Sequence, residues 1–214
     1  MSDHEPVVYC RAPLQTYLDD VASGKPAPGG GSVSACVGAL GAALLSMFGN
    51  LTVGKEKFAA VDGQMRGVLA SVGDLRSRLE KLLQDDTVAY NGVITAYGLP
   101  QDTQEQRAAR KRAVQQGLIA AADVPLSICR VAVEVCRLAR SAVEIGNPAV
   151  VTDAGISAIL GEAAVQGGAL NVRINLGSIE DCDYVERTEA ELEILLAEAA
   201  ALRAEVLRVT NQRL

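Results

Sequence analysis

The chain has 214 residues, a net charge of −6 and a pI near 4.9, a balance that excludes a general nucleic-acid binder, whose affinity needs a basic surface. Hydrophobic residues make up 49% but aromatics only 3%, and tryptophan is absent. The core must therefore be built at short range from alanine, leucine, valine and glycine, which favours packed helices over separate domains. The five cysteines, Cys10, Cys36, Cys129, Cys136 and Cys182, form no CxxC pair. They read as free thiols of a cytoplasmic protein rather than as a zinc or redox motif. The single histidine, His4, lies in a polar N-terminal tail that lacks the basic and apolar regions of a signal peptide. No His-ligated metal site is expected, so catalytic proton transfer falls to carboxylates, Lys, Tyr, Cys or water.

Residues 1–12 read as an irregular arm and residues 13–214 as one helical domain. Leu14, Tyr17, Leu18, Val21 and Ala22 have helical spacing, ended by Gly24 and Pro26. Next comes KPAPGGGSVSACVGALGAALLSMFGNLTV, with consecutive glycines Gly29, Gly30 and Gly31 and no charge from Ser32 to Leu51. Ser32 is the expected N-cap of a helix apolar on all sides and rich in small residues. Such a helix should be surrounded by others, with its amide-rich, positive N-terminal end facing a site. A glycine turn into a helix suits anion binding, but neither the P-loop nor the dinucleotide-binding pattern is completed here. A purely structural turn explains the glycines equally well. The uncharged run is long enough to cross a bilayer. Its Ser32, Ser34, Ser46, Asn50 and Thr52, with no aromatic belt or basic flank, oppose that reading.

Charge returns at Lys55, and a long helix is expected over about Phe58–Tyr97 with a seam of Val68, Val72, Leu75, Leu79, Leu82, Ala89 and Val93. Asp86 falls on this seam, where an isolated charge is costly unless paired or functional. The alternative is that Asp86 faces water, a place its neighbour Asp85 already takes. Leu99-Pro100 closes the helix, and Thr103 with Gln106 resembles a capping box. Arg107, Arg110, Lys111 and Arg112 then read as a solvated face. Pro125 predicts a kink near Asp123, with helix resuming over Leu126–Val143. Gly146-Asn147-Pro148 is a stop and restart, with Asn147 as N-cap and Pro148 at the first helical position.

The helix expected over Pro148–Leu176 carries Asp153, Ser157, Leu160, Ala164, Gly167, Asn171 and Asn175 on one face. Asn171 and Asn175, one turn apart, suit a planar heterocycle, or equally hydrogen bonding between helices. The last helix carries a stripe of Leu192, Leu195, Ala199, Leu202, Val206 and Val209 for packing, including against another subunit. The expected architecture is all-α: a single bundle of about six helices, some long and kinked, with a buried small-residue helix at its centre.

PAPGGGSVSACVGALGAALLSMFGNLT with GKEKF after it, the Asp86 region, LPQDTQEQR, GNPAVVTDAG and ALNVRINL together resemble the formiminotransferase-cyclodeaminase C-terminal family. The resemblance runs from about Leu14 to Leu207, with Ala27 where the family usually has threonine. It implies an all-α homodimer acting on a folate. The activity it implies is that of a 5,10-methenyltetrahydrofolate cyclohydrolase, giving 10-formyltetrahydrofolate. The alternative is formimidoyltetrahydrofolate cyclodeaminase, which releases ammonia, or, from another class, a non-catalytic helical folate-binding or scaffold protein. The absence of a transferase segment tilts the reading to the cyclohydrolase. Opening the methenyl bridge needs a base for water and an acid for the leaving nitrogen. Asp86 and Asp153 are the candidates, with Lys55 to polarise or donate. Asn147, Asn171 and Asn175 are expected to read pterin edges, and Gly29, Gly30, Gly31 and Ser32 to meet the glutamate tail or admit the flat ring. No cofactor beyond the tetrahydrofolate substrate, no metal, no nucleic acid and no membrane enters this expectation.

Overall fold

The computed structural model describes residues 7–214, so His4 lies outside the described residues. Six α-helices follow in order: α1 Leu14–Val21, α2 Gly30–Asn50, α3 Asp62–Tyr97, α4 Gln104–Ala142, α5 Val151–Leu176 and α6 Cys182–Arg213. Short 3-10 turns occupy Tyr9–Arg11, Glu56–Val61 and Pro148–Val150, and there is no strand among the described residues. The fold is an all-α bundle.

α2 and α5 lie antiparallel and in close contact, because glycine and alanine remove the side chains that would hold them apart. Gly30 sits against Asn171, Gly38 against Ala164, and Gly41 against the Ser157 carbonyl and Leu160. α3 packs along the other flank of α2, while α4 packs against both α3 and α5. Two notches seven residues apart fix α4 on α5. A methyl group added at Gly161 or at Gly168 would stand 2.6 Å from the thiol sulfur of Cys136 or Cys129, respectively. Burial pushes both thiols up to about 12, so they behave as small apolar knobs.

α6 packs its apolar stripe against α4 and α5 of the same chain. A ladder of Arg130–Glu191, Arg137–Glu198 and Arg140–Glu205 borders that contact. These partly exposed pairs set the register of α6 more than they stabilise it, each being worth about 1 kcal/mol at most.

Several local expectations are met and others corrected. Thr103 and Gln106 form the full capping box of α4. The arm is not wholly irregular: Tyr9–Arg11 is a 3-10 turn held on α3 by Tyr9 N–H donating to Gln84 and the Cys10 thiol to the Glu80 carbonyl. Asn147 does cap, accepting from the Ala149 amide, but what it caps is the 3-10 turn that precedes α5. α4 runs through Pro125 as one helix of 39 residues. The N-cap of α2 is Gly29, and Ser32 lies inside the first turn. Finally, α2 is not enclosed. Gly31, Ala35, Gly38, Ala42, Leu45 and Phe48 are buried, whereas Leu40 and Met47 face outward.

Candidate functional site

Gly29 offers no side-chain cap to α2, and the need is met from another helix. The Ser32 amide, third in the helix, donates to Asp86 Oδ2 at 2.9 Å. Asp86 is thus a cap supplied in space by α3, set where the helix dipole favours negative charge. Gly31 makes this contact feasible: a β-carbon there would lie 2.0 Å from Asp86 Oδ1. Burial pushes the Asp86 carboxyl above its ordinary value, and the Ser32 amide partly opposes that rise. The result is a half-buried carboxyl whose proton affinity is raised toward the range useful for acid and base work.

Behind this contact the Ser32 hydroxyl shares a 3.1 Å hydrogen bond with the buried Tyr17 hydroxyl. Burial pushes Tyr17 up to about 12, so it stays protonated. Ser34 donates to the Gly30 carbonyl at 2.7 Å, and a β-carbon at Gly167 would lie 2.3 Å from the Ser34 hydroxyl. The first turn of α2 is therefore clamped between α1, α3 and α5.

Asp86 opens onto a cleft of about 290 Å³. Pro26, Ala27, Gly29 and Gly30 form one wall, Asp86, Tyr90 and Val93 of α3 another, and Asn171, Ile174 and Asn175 of α5 a third, with Ala121 of α4 behind. Pro125 explains the orientation of Asn175. Lacking an N–H, it leaves the Ala121 carbonyl without its helical donor. Asn175 Nδ2 fills that vacancy at 3.1 Å and also donates to the Asn171 carbonyl at 2.8 Å. Asn171 Nδ2 donates to the Gly167 carbonyl at 2.8 Å. Both amide nitrogens are spent on backbone, as the packing reading required. The side-chain oxygens accept no hydrogen bond among the described residues and remain available to donors of a ligand.

The sequence-derived candidates thus divide. Asp86, Gly29, Gly30, Asn171 and Asn175 share the cleft, and Gly31 and Ser32 stand directly behind, holding Asp86. Because the Ser32 amide already serves Asp86, a glutamate tail placed at that helix end would meet a like charge. Asp153, Lys55 and Asn147 lie at the opposite end of the bundle. Asp153 is eighteen residues before Asn171 on α5, roughly 27 Å at 1.5 Å per residue. Lys55 is exposed just beyond α2. Asn147, expected to read a pterin edge, is here bonded to the end of α2: Nδ2 donates to the Leu51 carbonyl, and its backbone amide donates to Thr52 Oγ1. Tyr17, Tyr90 and Pro125 were missed by sequence reasoning. Only Pro125 gave a signal, and it was read as a kink.

The formiminotransferase-cyclodeaminase family model matches residues 13–194. The chain belongs to this family. Among its members, the methenyltetrahydrofolate cyclohydrolase of Methylorubrum extorquens is 42% identical over 94% of this chain and 96% of its own length. The formimidoyltransferase-cyclodeaminase of Rattus norvegicus is 35% identical over 92% of this chain, which spans only 36% of that longer relative. The crystal structure of formiminotetrahydrofolate cyclodeaminase from Thermotoga maritima superposes with a TM-score of 0.85 at 29% identity, covering 94% of this chain and 97% of that one. The family's enzymes thus include both hydrolytic and ammonia-releasing members, and this chain has the length of the shorter ones.

Proposed function

We propose that the chain hydrolyses 5,10-methenyltetrahydrofolate to 10-formyltetrahydrofolate, acting as a homodimer without metal or redox cofactor. The observation that carries this reading is the Asp86 carboxyl, held by Gly31 and Ser32 at the edge of a cleft walled by Asn171 and Asn175. The extent of the match to the cyclohydrolase of Methylorubrum extorquens supports it.

In this mechanism the water oxygen attacks the cationic methenyl carbon, and Asp86 takes one of its protons. The tetrahedral adduct then breaks its bond to N5, which receives that proton back from Asp86. The hydroxyl proton leaves to solvent as the formyl C=O forms, so one water is consumed and one proton released. Negative Asp86 also stabilises the cationic substrate before attack, and the open oxygens of Asn171 and Asn175 accept from the N–H edge of the pterin.

The test is the decay of the methenyl chromophore in the near ultraviolet on adding purified protein. Turnover that Asp86→Asn abolishes supports the reading; full turnover by that variant at saturating substrate refutes the role of Asp86. The second reading, ammonia release from 5-formiminotetrahydrofolate, is favoured by the likeness to the Thermotoga maritima cyclodeaminase. An ammonia assay with that substrate separates the two. Folate binding with neither turnover would mark a non-catalytic protein.

A further inference from the structure

The arm ahead of α1 is fastened to two helices. On α3, the Tyr9 amide donates to Gln84 Oε1 at 3.2 Å and the Cys10 thiol to the Glu80 carbonyl at 3.1 Å. On α1, the Tyr9 hydroxyl donates to Asp20 Oδ2 at 2.9 Å, and the Tyr9 ring meets the Tyr17 ring edge-on with centroids 5.3 Å apart. Burial, then the bond to Asp20, pushes Tyr9 up to about 12, so its hydroxyl stays a donor. The family match begins at residue 13, after this arm.

α1 needs this fastening. It has eight residues, too few to hold a helix in water by themselves. Tyr17 is its one buried residue, while Leu14 and Leu18 are 67% and 50% exposed. Yet α1 carries a contact that reaches the cleft: the Tyr17 hydroxyl bonds the Ser32 hydroxyl, and the Ser32 amide bonds Asp86. Tyr9 joins the two ends of that path, touching Tyr17 on one side and pinned on the other to Gln84, two positions before Asp86. Asp20 divides its carboxylate between the arm and the cleft wall. Oδ2 takes the Tyr9 hydroxyl, and Oδ1 takes the ammonium of Lys25, which leads into Pro26 and Ala27 of that wall. The other carboxylate beside the arm, Glu80, pairs with Arg76 at 3.3 Å.

We propose that the arm is a positioning strap for Asp86: the Tyr9 ring, pinned to α3, steadies Tyr17, and Tyr17 through the Ser32 hydroxyl steadies the amide that holds the Asp86 carboxyl. This rests on the reading of Asp86 as acid and base. Tyr9 does not line the cleft, so it is a positioning residue and touches no substrate. Without Tyr9, Lys25 still holds Asp20, and with it the Pro26–Ala27 wall. The strap therefore governs turnover more than substrate capture.

The experiment compares Tyr9→Ala, Tyr9→Phe, Tyr17→Phe and Tyr9→Ala/Tyr17→Phe in the chromophore assay, with Tm and the hydrogen exchange of the Ser32 amide. Loosening Asp86 by about half an ångström costs about tenfold in rate. Tyr9→Ala should lower kcat by that factor, with KM held to within about twofold and Tm to within a few degrees. Tyr9→Phe keeps the ring on Tyr17 and should keep most of the turnover. Because Tyr9 acts through Tyr17, the double variant should be hardly slower than Tyr17→Phe alone. Unchanged kcat in Tyr9→Ala overturns the proposal, as does an equal loss in Tyr9→Phe. A double variant whose loss is the product of the single losses also overturns it, and so does a fall in Tm large enough to leave Tyr9→Ala partly unfolded in the assay. The Ser32 amide lies in the first turn of α2 and has no acceptor within that helix, so its exchange reports the Asp86 contact. That exchange should quicken about tenfold in Tyr9→Ala, and an unchanged rate overturns the strap. Failure of the folate reading shows separately, as absent turnover by wild type in both chromophore and ammonia assays, and the Ser32 exchange then still decides whether the arm steadies Asp86.

Discussion

Replacing Gly31 with alanine tests the contact on which the site is built. The added β-carbon would stand 2.0 Å from Asp86 Oδ1 and 2.6 Å from its carboxyl carbon, separations that real β-carbons essentially never show. The obstacle is a side-chain tip rather than backbone, so the carboxyl turns away and α2 stays in place. It must move by about 1 Å or more, which breaks the 2.9 Å bond from the Ser32 amide. A misplacement of that size costs about 100-fold in rate. Stability changes far less. Alanine gains about 1 kcal/mol over glycine inside a helix, and loss of one hydrogen bond to a charged group removes about 1.5–3 kcal/mol. The expected result is a folded variant whose kcat falls about 100-fold, followed by methenyl absorbance at saturating substrate, while its Tm shifts by only a few degrees. Turnover within twofold of wild type would show that the placement of Asp86 is immaterial.

Three further outcomes follow from neighbouring contacts. Burial raises the folded pKa of Asp86 above its unfolded value, so its contribution to stability is complete below the unfolded pKa and is lost as pH rises through the folded one. Asp86→Asn should therefore match or exceed wild type in Tm at neutral pH, by about 2–4 °C for each kcal/mol relieved, and this advantage should vanish below the ordinary value of 3.8; an Asn variant less stable at pH 7 contradicts the sign. Asn147→Ala removes the Leu51 and Ala149 contacts and should lower stability by about 1–2 kcal/mol in denaturant titration, with KM unchanged; a raised KM at wild-type stability would restore Asn147 to substrate binding. Asn171→Ala should raise KM more than it lowers kcat in the chromophore assay, and an unchanged KM removes Asn171 from the substrate.

The helical class and most element limits were legible because periodicity, capping residues and proline are local signals. Thr103 with Gln106, and the apolar seam of α3, needed no tertiary knowledge. Asp86 was legible as an exception to that seam. Its partner was not, since a cap for α2 borrowed from α3 across 54 positions leaves no trace in spacing. The glycines announced a close approach without naming the approaching group. Asp153 shared a face with Asn171 in the helical pattern, but periodicity reports direction around an axis and is blind to distance along it. Burial of α2 was overestimated for a related reason: an apolar sequence says that a surface avoids water, not which molecule covers it.

The proline in α4 makes an absence useful. By withholding one amide hydrogen, Pro125 leaves a carbonyl that recruits a side chain from the helix opposite, and so ties the Asn175 amide down at the cleft wall. An alanine there would make α4 a better helix by completing its ladder, and would release Asn175 to rotate. In that wall a small imperfection of the scaffold anchors a cleft-lining side chain.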